Sequence, residues 1–182
     1  IGMKPGDVAL TSAPMAFTFG LGAAFLFPLR AGAACASIEQ ASPPLMLEAI
    51  SRHGVTHLGT APTAYKVMLS QPGLDAALRT LRYCLSAGEH LPEATWRAWK
   101  ERTGIAITDG IGSTEMMHIF VSAAGEDIRP GSTGKAVPGY IATVLDQAGN
   151  PMEEGTGRLA IKGPTGCRYL DDPRQRDYVA GG

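Results

Sequence analysis

The sequence predicts an α/β domain with a mainly parallel sheet flanked by helices, followed by the first strands of a β-rich subdomain. Short apolar strands alternate with helical segments through about the first 128 residues. The strands are apolar without alternation, as expected for parallel strands covered by helices on both faces. After Ile128 the chain becomes rich in glycine and proline turns. We therefore expect an α/β unit over 1–128 and the start of a β-rich unit over 129–182.

The predicted elements follow from apolar runs and from the residues that interrupt them. Each predicted strand is a short apolar stretch bounded by glycine, proline or small polar residues. Parallel strands are predicted over 7–14, 32–39, 55–62, 81–89 and 105–112. Helices are predicted over 16–29, 43–53, 63–70 and 92–104, and short antiparallel strands over 141–146 and 158–164.

Serine, proline and glycine mark the ends of the clearest helices. Ser42 is a predicted cap, Pro43 occupies the first helical position and Gly54 ends this helix. The helix over 92–104 begins at a proline and ends at a glycine, and its two tryptophans share one face. The apolar run 16–29 is shorter than the about 20 residues that span a bilayer. We therefore expect a buried helix there and no membrane span.

Charge and cysteine content exclude several classes of protein. The formal net charge is −1 without charged blocks, so the sequence has no basic footprint for nucleic acid. Its three cysteines are far apart and form no C-x-x-C pair, which is typical of reduced thiols in a cytoplasmic protein. The first residues do not resemble a signal peptide.

Three loops are expected to meet at one edge of the sheet. TAPTAY, SAGEHLP and DGIGSTE come at the ends of the strands predicted over 55–62, 81–89 and 105–112. Ligands of α/β sheets bind beyond the carboxyl ends of parallel strands. Each loop contains small residues that allow a close approach of the backbone. The sequence therefore predicts a ligand site at this edge.

The DGIGSTE loop has the composition of an anion site. Because they lack Cβ atoms, Gly110 and Gly112 would let backbone amides face a ligand. Ser113 and Thr114 are predicted at a helix N-terminus, where anions are stabilised. Glu115 could then bind Mg²⁺ beside a phosphate. The alternative is an ordinary helix cap with a glutamate in the first turn.

Histidines and a second glycine-rich turn are less informative. His118 is predicted on the same helical face as Glu115, either lining the site or packed in the core. The turn GSTGK, residues 131–135, lacks the spacing of a phosphate loop. His53 and His57 have the spacing of a zinc pair, but a glycine should end the helix between them. The sequence also contains no G-x-S-x-G elbow and no G-x-G-x-x-G fingerprint.

Three segments together resemble one enzyme superfamily. SAGEHLP, DGIGSTEMMHIF and RPGSTGKAVPGY, in this order, resemble the adenylate-forming acyl-CoA synthetases, in particular the benzoate- and 2-aminobenzoate-CoA ligases. PMAFTFGLGAAFLFPLRAGA and THLGTAPTAYKVML fit the same group, so the resemblance covers essentially the whole chain. It implies that ATP and an aromatic carboxylate form an acyl-adenylate and pyrophosphate, and that the CoA thiolate then displaces AMP.

The resemblance also implies roles for individual residues. Thr114 would bond the α-phosphate and Glu115 would hold Mg²⁺, so these two are the implied catalytic residues. The implied ATP- and AMP-binding residues are Gly88, Glu89, His90, Asp109, Gly110, Ile111, Gly112, Ser113 and Thr114. The implied acyl-binding residues are Ala16, Phe17, Ala61, Tyr65, Ala87, Gly112 and His118. A flat slot of small and aromatic residues suits an aromatic acid.

Several parts of the family pattern are expected outside this sequence. They are a phosphate loop before Ile1, a ribose-binding aspartate just after Gly182, and a small C-terminal lid with a catalytic lysine. We therefore expect an inactive fragment of the large N-terminal domain of an active ligase. Two alternatives remain open. One is another adenylate-forming enzyme, such as a fatty acyl-CoA synthetase, a luciferase-like enzyme or a carrier-protein-loading enzyme. The other is a non-enzymatic nucleotide-binding module.

Overall fold

A seven-stranded sheet forms the centre of the protein. The computed structural model describes residues 2–179. The strands of this sheet are Val8–Thr11 (β1), Ala34–Cys35 (β2), His57–Thr60 (β3), Tyr83–Ala87 (β4), Ile107–Gly112 (β5), Ile119–Ser122 (β6) and Lys135–Ala136 (β7). Their order is β2-β1-β3-β4-β5-β6-β7. β1 to β5 are parallel, whereas β6 and β7 are antiparallel additions. The predicted mainly parallel sheet is confirmed.

The four predicted helical segments lie between the parallel strands as expected. The helices of the structure are Thr18–Leu21 (α1), Phe27–Ala31 (α2), Pro43–His53 (α3), Pro62–Met68 (α4), Leu74–Ala77 (α5), Glu93–Thr103 (α6) and Gln175–Tyr178 (α7), with a π-helical turn over Gly22–Leu26 and a 3-10 turn over Gly125–Asp127. The two short helices α5 and α7 were not predicted. Gly54 and Gly104 end α3 and α6 in the left-handed conformation, with φ of 62° and 73°. Ser42 does precede α3, but its side chain caps none of the described amides.

The hydrophobic core lies between one face of the sheet and helices α3 to α6. The rings of Tyr65 and Trp99 meet edge-on with centroids 4.8 Å apart, and both side chains are fully buried. Leu58 and Cys84 from the sheet complete this cluster. Burying one large apolar side chain contributes about 1.5–3 kcal/mol. The core therefore holds in place the strands whose ends form the predicted site.

The helical segment 18–31 covers the opposite face of the sheet. A Cβ atom at Gly59, which alternates with the core residue Leu58 in β3, would lie 3.5 Å from the Phe19 ring. The segment predicted as a buried helix packs on the sheet with one side, where Ala23 and Pro28 are buried, whereas the side chain of Phe25 is 50% exposed. In the described part of the chain, no helix has the length and hydrophobicity to cross a membrane.

The segment after the DGIGSTE loop does not form the predicted helix. Instead, β5 turns back into the antiparallel strand β6, with a register shift at Gly112. Residues 113–118 form the connecting loop. The Ile-Phe-Val sequence of β6 is β-branched and aromatic, which favours a strand. The spacing of Glu115 and His118 suggested a helical face that the fold does not contain.

A second, three-stranded sheet follows the first. Its strands are Ile141–Leu145 (β8), Pro151–Met152 (β9) and Arg158–Lys162 (β10), all antiparallel, in the order β10-β8-β9. This confirms the two predicted antiparallel strands. β7 lies beyond residue 128 but pairs with β6, so the first sheet includes part of the segment after that position. A domain boundary at 128 stays a prediction.

Candidate functional site

The three predicted loops meet at one edge of the sheet. β3, β4 and β5 are parallel neighbours, so their carboxyl ends at Thr60, Ala87 and Gly112 lie side by side. The segments that follow β3 and β4 are also in direct contact, because the hydroxyl of Thr63, in the first turn of α4, donates a hydrogen bond of 2.5 Å to the Glu89 carboxylate. The predicted convergence of the loops is therefore confirmed.

A cleft of about 180 Å³ opens at this edge, on the face that segment 18–31 covers. We term it the strand-end cleft. Its lining residues are Phe17, Thr18, Phe19, Ala87, Gly88, Gly112, Ser113, Thr114, His118 and Ile119. Gly88 has a φ of +89°, and a Cβ atom at Gly112 would lie 2.5 Å from the carbonyl oxygen of His118. Glycine is needed at both positions for the backbone to line the cleft so closely.

The 113–118 loop contributes two residues with hydroxyl groups to the cleft. The Ser113 amide donates to the His118 carbonyl at 3.3 Å, and the Met117 amide donates to the Thr114 carbonyl at 3.1 Å. Met117 has a φ of 74°, which is uncommon for a residue with a side chain. This tight loop places Ser113 and Thr114 in the lining. The Thr114 hydroxyl there can donate a hydrogen bond to an anionic ligand, whereas the Ser113 hydroxyl bonds to Glu115.

Glu115 lies half-buried in the same loop. Its Oε1 atom accepts a hydrogen bond of 2.5 Å from the Tyr169 hydroxyl. This bond, the glutamate's own amide and the Ser113 hydroxyl hold the pKa of Glu115 below its usual value, although burial opposes them. The same bond raises the pKa of Tyr169 to about 12. Glu115 is therefore an ionised carboxylate at neutral pH, a group that can bind a divalent cation.

His118 forms an aromatic wall of the cleft. Its ring lies edge-on to Phe27, with centroids 4.7 Å apart, and 5.8 Å from the ring of Phe19. Burial lowers the pKa of His118, although a hydrogen bond with the Phe19 backbone opposes this effect. Its Nε2 atom is buried without a hydrogen-bond partner in the part of the chain that the structure describes. A neutral imidazole in this position can contact an apolar or aromatic ligand.

The side chain of Asp109 does not face the strand-end cleft, contrary to the expectation of a nucleotide-binding floor. Asp109 alternates with Gly110, so it faces the opposite side of the sheet, near Trp96 of α6. Its Oδ2 atom accepts a hydrogen bond of 3.1 Å from Thr133, whereas Oδ1 has no partner among the described residues. Asp109 and His90 line a separate cavity of about 10 Å³.

Tyr65 does not line the cleft, so its predicted contact with the acyl group is wrong. Its fully buried ring packs against Trp99 on the core face, opposite the face that His118 occupies. The hydroxyl lies 3.1 Å from the carbonyl oxygen of Leu58 and 3.0 Å from that of Leu85. Helix α4 begins at the sheet edge but turns this side chain inward, which the sequence did not reveal.

The remaining predicted residues lie around the same edge. Four of them line the cleft as expected: Phe17, Ala87, Gly88 and His118. The exposed Ala16 and Ala61, which immediately precedes α4, lie outside the lining. Gly110 is buried under Ile119, and Ile111 is 40% exposed on the other face. The roles assigned to these residues stay predictions.

Sequence reasoning missed several residues of this region. Thr18, Phe19 and Ile119 line the cleft, but they belong to apolar segments that carried no chemical signal. Tyr169 contacts Glu115 from 54 positions away, and Thr133 contacts Asp109 from 24 positions away. Such pairs follow from tertiary folding, and no local spacing indicates them.

A larger groove of about 730 Å³ runs along the same face of the sheet. Tyr83, Leu85 and Thr108 form part of its floor, and His118 separates it from the strand-end cleft by lining both. The groove is largely apolar, whereas the glycines and hydroxyl groups of the predicted loops lie in the strand-end cleft. The strand-end cleft is therefore the candidate site.

Comparisons with known proteins identify relatives of the whole chain. Residues 1–169 match the family described as "AMP-binding enzyme". The benzoate–CoA ligase of Thauera aromatica is 40% identical over 181 residues, which cover 96% of this chain and 34% of that protein. The chain thus spans about a third of the length of the curated relatives it matches.

Solved structures give the same result. The anthranilate CoA ligase AuaEII, in complex with anthranoyl-AMP, is 40% identical with a TM-score of 0.85 over 91% of this chain and 33% of that one. A benzoate CoA ligase from Burkholderia xenovorans LB400 is 36% identical, with a TM-score of 0.90 over 97% of this chain and 37% of that one.

Proposed function

Because the chain belongs to the AMP-binding enzyme family, we propose that it is part of an ATP-dependent, AMP-forming aryl-CoA ligase. The substrates are ATP, CoA and an aromatic acid such as benzoate or an aminobenzoate, and the products are the aryl-CoA thioester, AMP and pyrophosphate. The similarity to benzoate and anthranilate CoA ligases supports this choice of acid. A cytoplasmic location suits the use of ATP and CoA and the three unpaired cysteines.

One observation carries the proposal: the 113–118 loop places residues with hydroxyl groups and an aromatic wall in the lining of the same cleft. Thr114 offers a hydroxyl group in the lining, and Glu115 offers an ionised carboxylate in the same loop. Three residues after Glu115, the ring of His118 contacts two phenylalanine rings. An adenylate-forming site needs these two environments side by side, because the acid must reach the α-phosphorus.

In the first half-reaction, a carboxylate oxygen of the acid attacks the α-phosphorus of ATP. The bond from this phosphorus to the bridging oxygen breaks, and pyrophosphate leaves with the electron pair. The acid is already ionised at neutral pH, so no side chain has to remove a proton from it. The Thr114 hydroxyl and the loop amides would donate hydrogen bonds to the α-phosphate oxygens, which gain charge in this step.

The residues of the loop fit a magnesium ion. Glu115 supplies hard, ionised oxygen atoms, which magnesium prefers. Residues 2–179 contain no cluster of three or more histidine, cysteine or acidic side chains suited to a metal. Phosphate oxygens and water would therefore complete the coordination, as is usual for Mg²⁺ bound with a nucleotide. When bound, the ion neutralises phosphate charge.

The acid's ring would lie between Phe17, Phe19 and His118. These side chains offer flat apolar surfaces, and the small residues Ala87 and Gly112 leave the slot open between them. Holding the ring there would orient the carboxylate toward the α-phosphate, which lowers the barrier by positioning. In the second half-reaction, the CoA thiolate attacks the acyl carbon, the bond from that carbon to the phosphate oxygen breaks, and AMP leaves.

The full-length protein tests the proposal through ATP–pyrophosphate exchange and thioester formation with benzoates, aminobenzoates and fatty acids. We expect exchange and thioester formation with aromatic acids. Preference for fatty acids would favour a different acyl-CoA synthetase, and exchange without CoA thioester would favour a carrier-protein-loading enzyme. No exchange with any acid would contradict an adenylating function and favour a binding module.

A single substitution tests the role of the loop. Glu115→Gln in the full-length protein should lower the exchange rate by about 100-fold or more if metal binding depends on this carboxylate. Folding should be little affected, as circular dichroism and thermal unfolding can measure. The exposed residue Glu154 provides the matched control, Glu154→Gln. Exchange at the wild-type rate in the Glu115 variant would contradict its role.

A further inference from the structure

We propose that Tyr169 is a positioning residue that holds the Glu115 carboxylate in the orientation required for divalent-metal binding at the strand-end cleft. This inference rests on the proposed function. The Tyr169 hydroxyl donates a hydrogen bond of 2.5 Å to Oε1 of Glu115. Tyr169 follows the second sheet, and Glu115 lies in the loop between β5 and β6. This bond therefore joins the region after the second sheet to the candidate site.

The contact leaves the carboxylate able to bind a metal. A carboxylate has about four acceptor positions on its two oxygens; Tyr169, the Ser113 hydroxyl and the glutamate's own amide use about three of them, which leaves about one for a metal ion. A glutamate side chain that is already ordered loses less conformational freedom when it binds an ion. Hydrogen-bond partners of metal-binding carboxylates typically change metal affinity by about 10- to 100-fold when they are removed.

A second contact fixes the backbone next to Glu115. The Thr165 hydroxyl donates to the Met116 carbonyl oxygen at 2.8 Å, and it lies 2.7 Å from the Tyr140 hydroxyl. The side chain of Glu115 and the following peptide are therefore each held by a residue from beyond the first sheet. Together these contacts determine where the carboxylate stands relative to the cleft.

Tyr169 is itself held in position by its own neighbours. Its backbone amide donates to the side-chain oxygen of Gln175 at 2.6 Å. The guanidinium of Arg174 lies over its ring, 5.6 Å from the centroid, and the ring of Tyr178 lies 6.1 Å away. The hydroxyl group therefore reaches Glu115 from a preorganised turn and short helix.

Tyr169→Phe in the full-length protein tests the metal role, because it removes the hydroxyl and keeps the ring. We expect the Mg²⁺ concentration for half-maximal ATP–pyrophosphate exchange to rise about tenfold. The rate at saturating Mg²⁺ and the KM for the acid should stay close to wild type. Tyr178→Phe removes the hydroxyl of a neighbouring, 69% exposed tyrosine and is the matched control. An unchanged or lowered Mg²⁺ requirement in Tyr169→Phe would overturn the proposal.

A measurement without nucleotide, metal or turnover tests the contact itself. Trypsin should cleave the metal-free protein after the exposed Arg168 several times faster in Tyr169→Phe and in Glu115→Ala, which lacks the acceptor oxygen, than in Tyr178→Phe. The double variant should be cleaved no faster than either single variant, because both changes remove the same bond. Cleavage of the Tyr169 and Glu115 variants at the wild-type rate would contradict the contact. If the wild-type protein shows no ATP–pyrophosphate exchange with any acid, the proposed function is wrong and the metal role of Tyr169 is wrong with it. The rate of trypsin cleavage would still show whether Tyr169 holds Glu115.

Discussion

Gly22 lies so close to the imidazole of His118 that a Cβ atom at position 22 would overlap the ring. Gly22 begins the π-helical turn of segment 18–31, and Phe27 from the same segment contacts the ring edge-on. The orientation of His118 therefore depends on a helix that lies almost a hundred positions earlier in the chain. The aromatic wall of the strand-end cleft is formed by contact between these two segments.

Gly22→Ala should displace the His118 ring and destabilise the fold by about 1–3 kcal/mol, the usual effect of overpacking. The choice among substituted benzoates by the full-length protein should change as well, because the ring lines the cleft. Chemical denaturation and an acid panel measure the two effects. Gly166→Ala is the control, since a Cβ atom there meets no described atom within 4 Å. Equal stability of the two variants would contradict the close contact.

His118 should make stability depend on pH in the acidic range. Burial holds its pKa below the ordinary value of 6.5, so the unfolded chain takes up a proton first as the pH falls. The contribution of the buried neutral imidazole to the free energy of unfolding is therefore complete well above pH 6.5, and it is lost as the pH falls below that value. In His118→Asn, the unfolding free energy should fall less steeply between about pH 7.5 and pH 5. The exposed His53→Asn is the control, and equal slopes in the two variants would be evidence against burial of His118.

Tyr65→Phe should separate a core role from a role in acid binding. The loss of a hydroxyl that lies between two buried carbonyl oxygens should lower the unfolding free energy by about 1 kcal/mol. The acid profile should not change, because the ring faces the core. Phe17→Ala is the reciprocal variant: its side chain is 63% exposed, so the acid profile should change with little loss of stability. A changed acid profile in Tyr65→Phe would contradict this placement and indicate that Tyr65 contacts the acid.

Arg82→Met should destabilise the protein most at neutral pH. Arg82 pairs with Asp7, which is 3% exposed and also accepts a hydrogen bond of 3.0 Å from the Lys4 amide. Burial raises the pKa of Asp7, but the Lys4 amide and the Arg82 charge outweigh it and bring the pKa below 3.8. The stabilisation is therefore present above about pH 3.8 and is lost as the pH falls through the folded-state pKa.

The control for this pair is Arg102→Met, because Arg102 pairs with Asp75 at the surface. Exposed pairs contribute about 0.2–1 kcal/mol, so urea unfolding at pH 7 should show a larger loss for Arg82→Met. The difference between the two variants should shrink near pH 3. A constant difference across this range would contradict a role for the Asp7 charge.

Much of the fold could be predicted because its elements are encoded locally. The apolar runs located all five parallel strands, and glycines located the ends of α3 and α6. The order of strand-end loops predicted which edge carries the site, since carboxyl ends of parallel strands share an edge. The 113–118 segment was predicted wrongly, because a three-residue spacing of polar groups fits a helix and a hairpin loop equally well.

By itself, the sequence determined the strands, the helix ends and the three loops, since apolar runs, caps and glycines act over a few neighbouring residues. Only the tertiary structure decided which face each side chain occupies, and it placed Tyr65 in the core and His118 in the cleft. It also decided that Tyr169 meets Glu115. Such contacts depend on strand register and on the packing of segments far apart in the chain, and neither leaves a pattern in the local sequence.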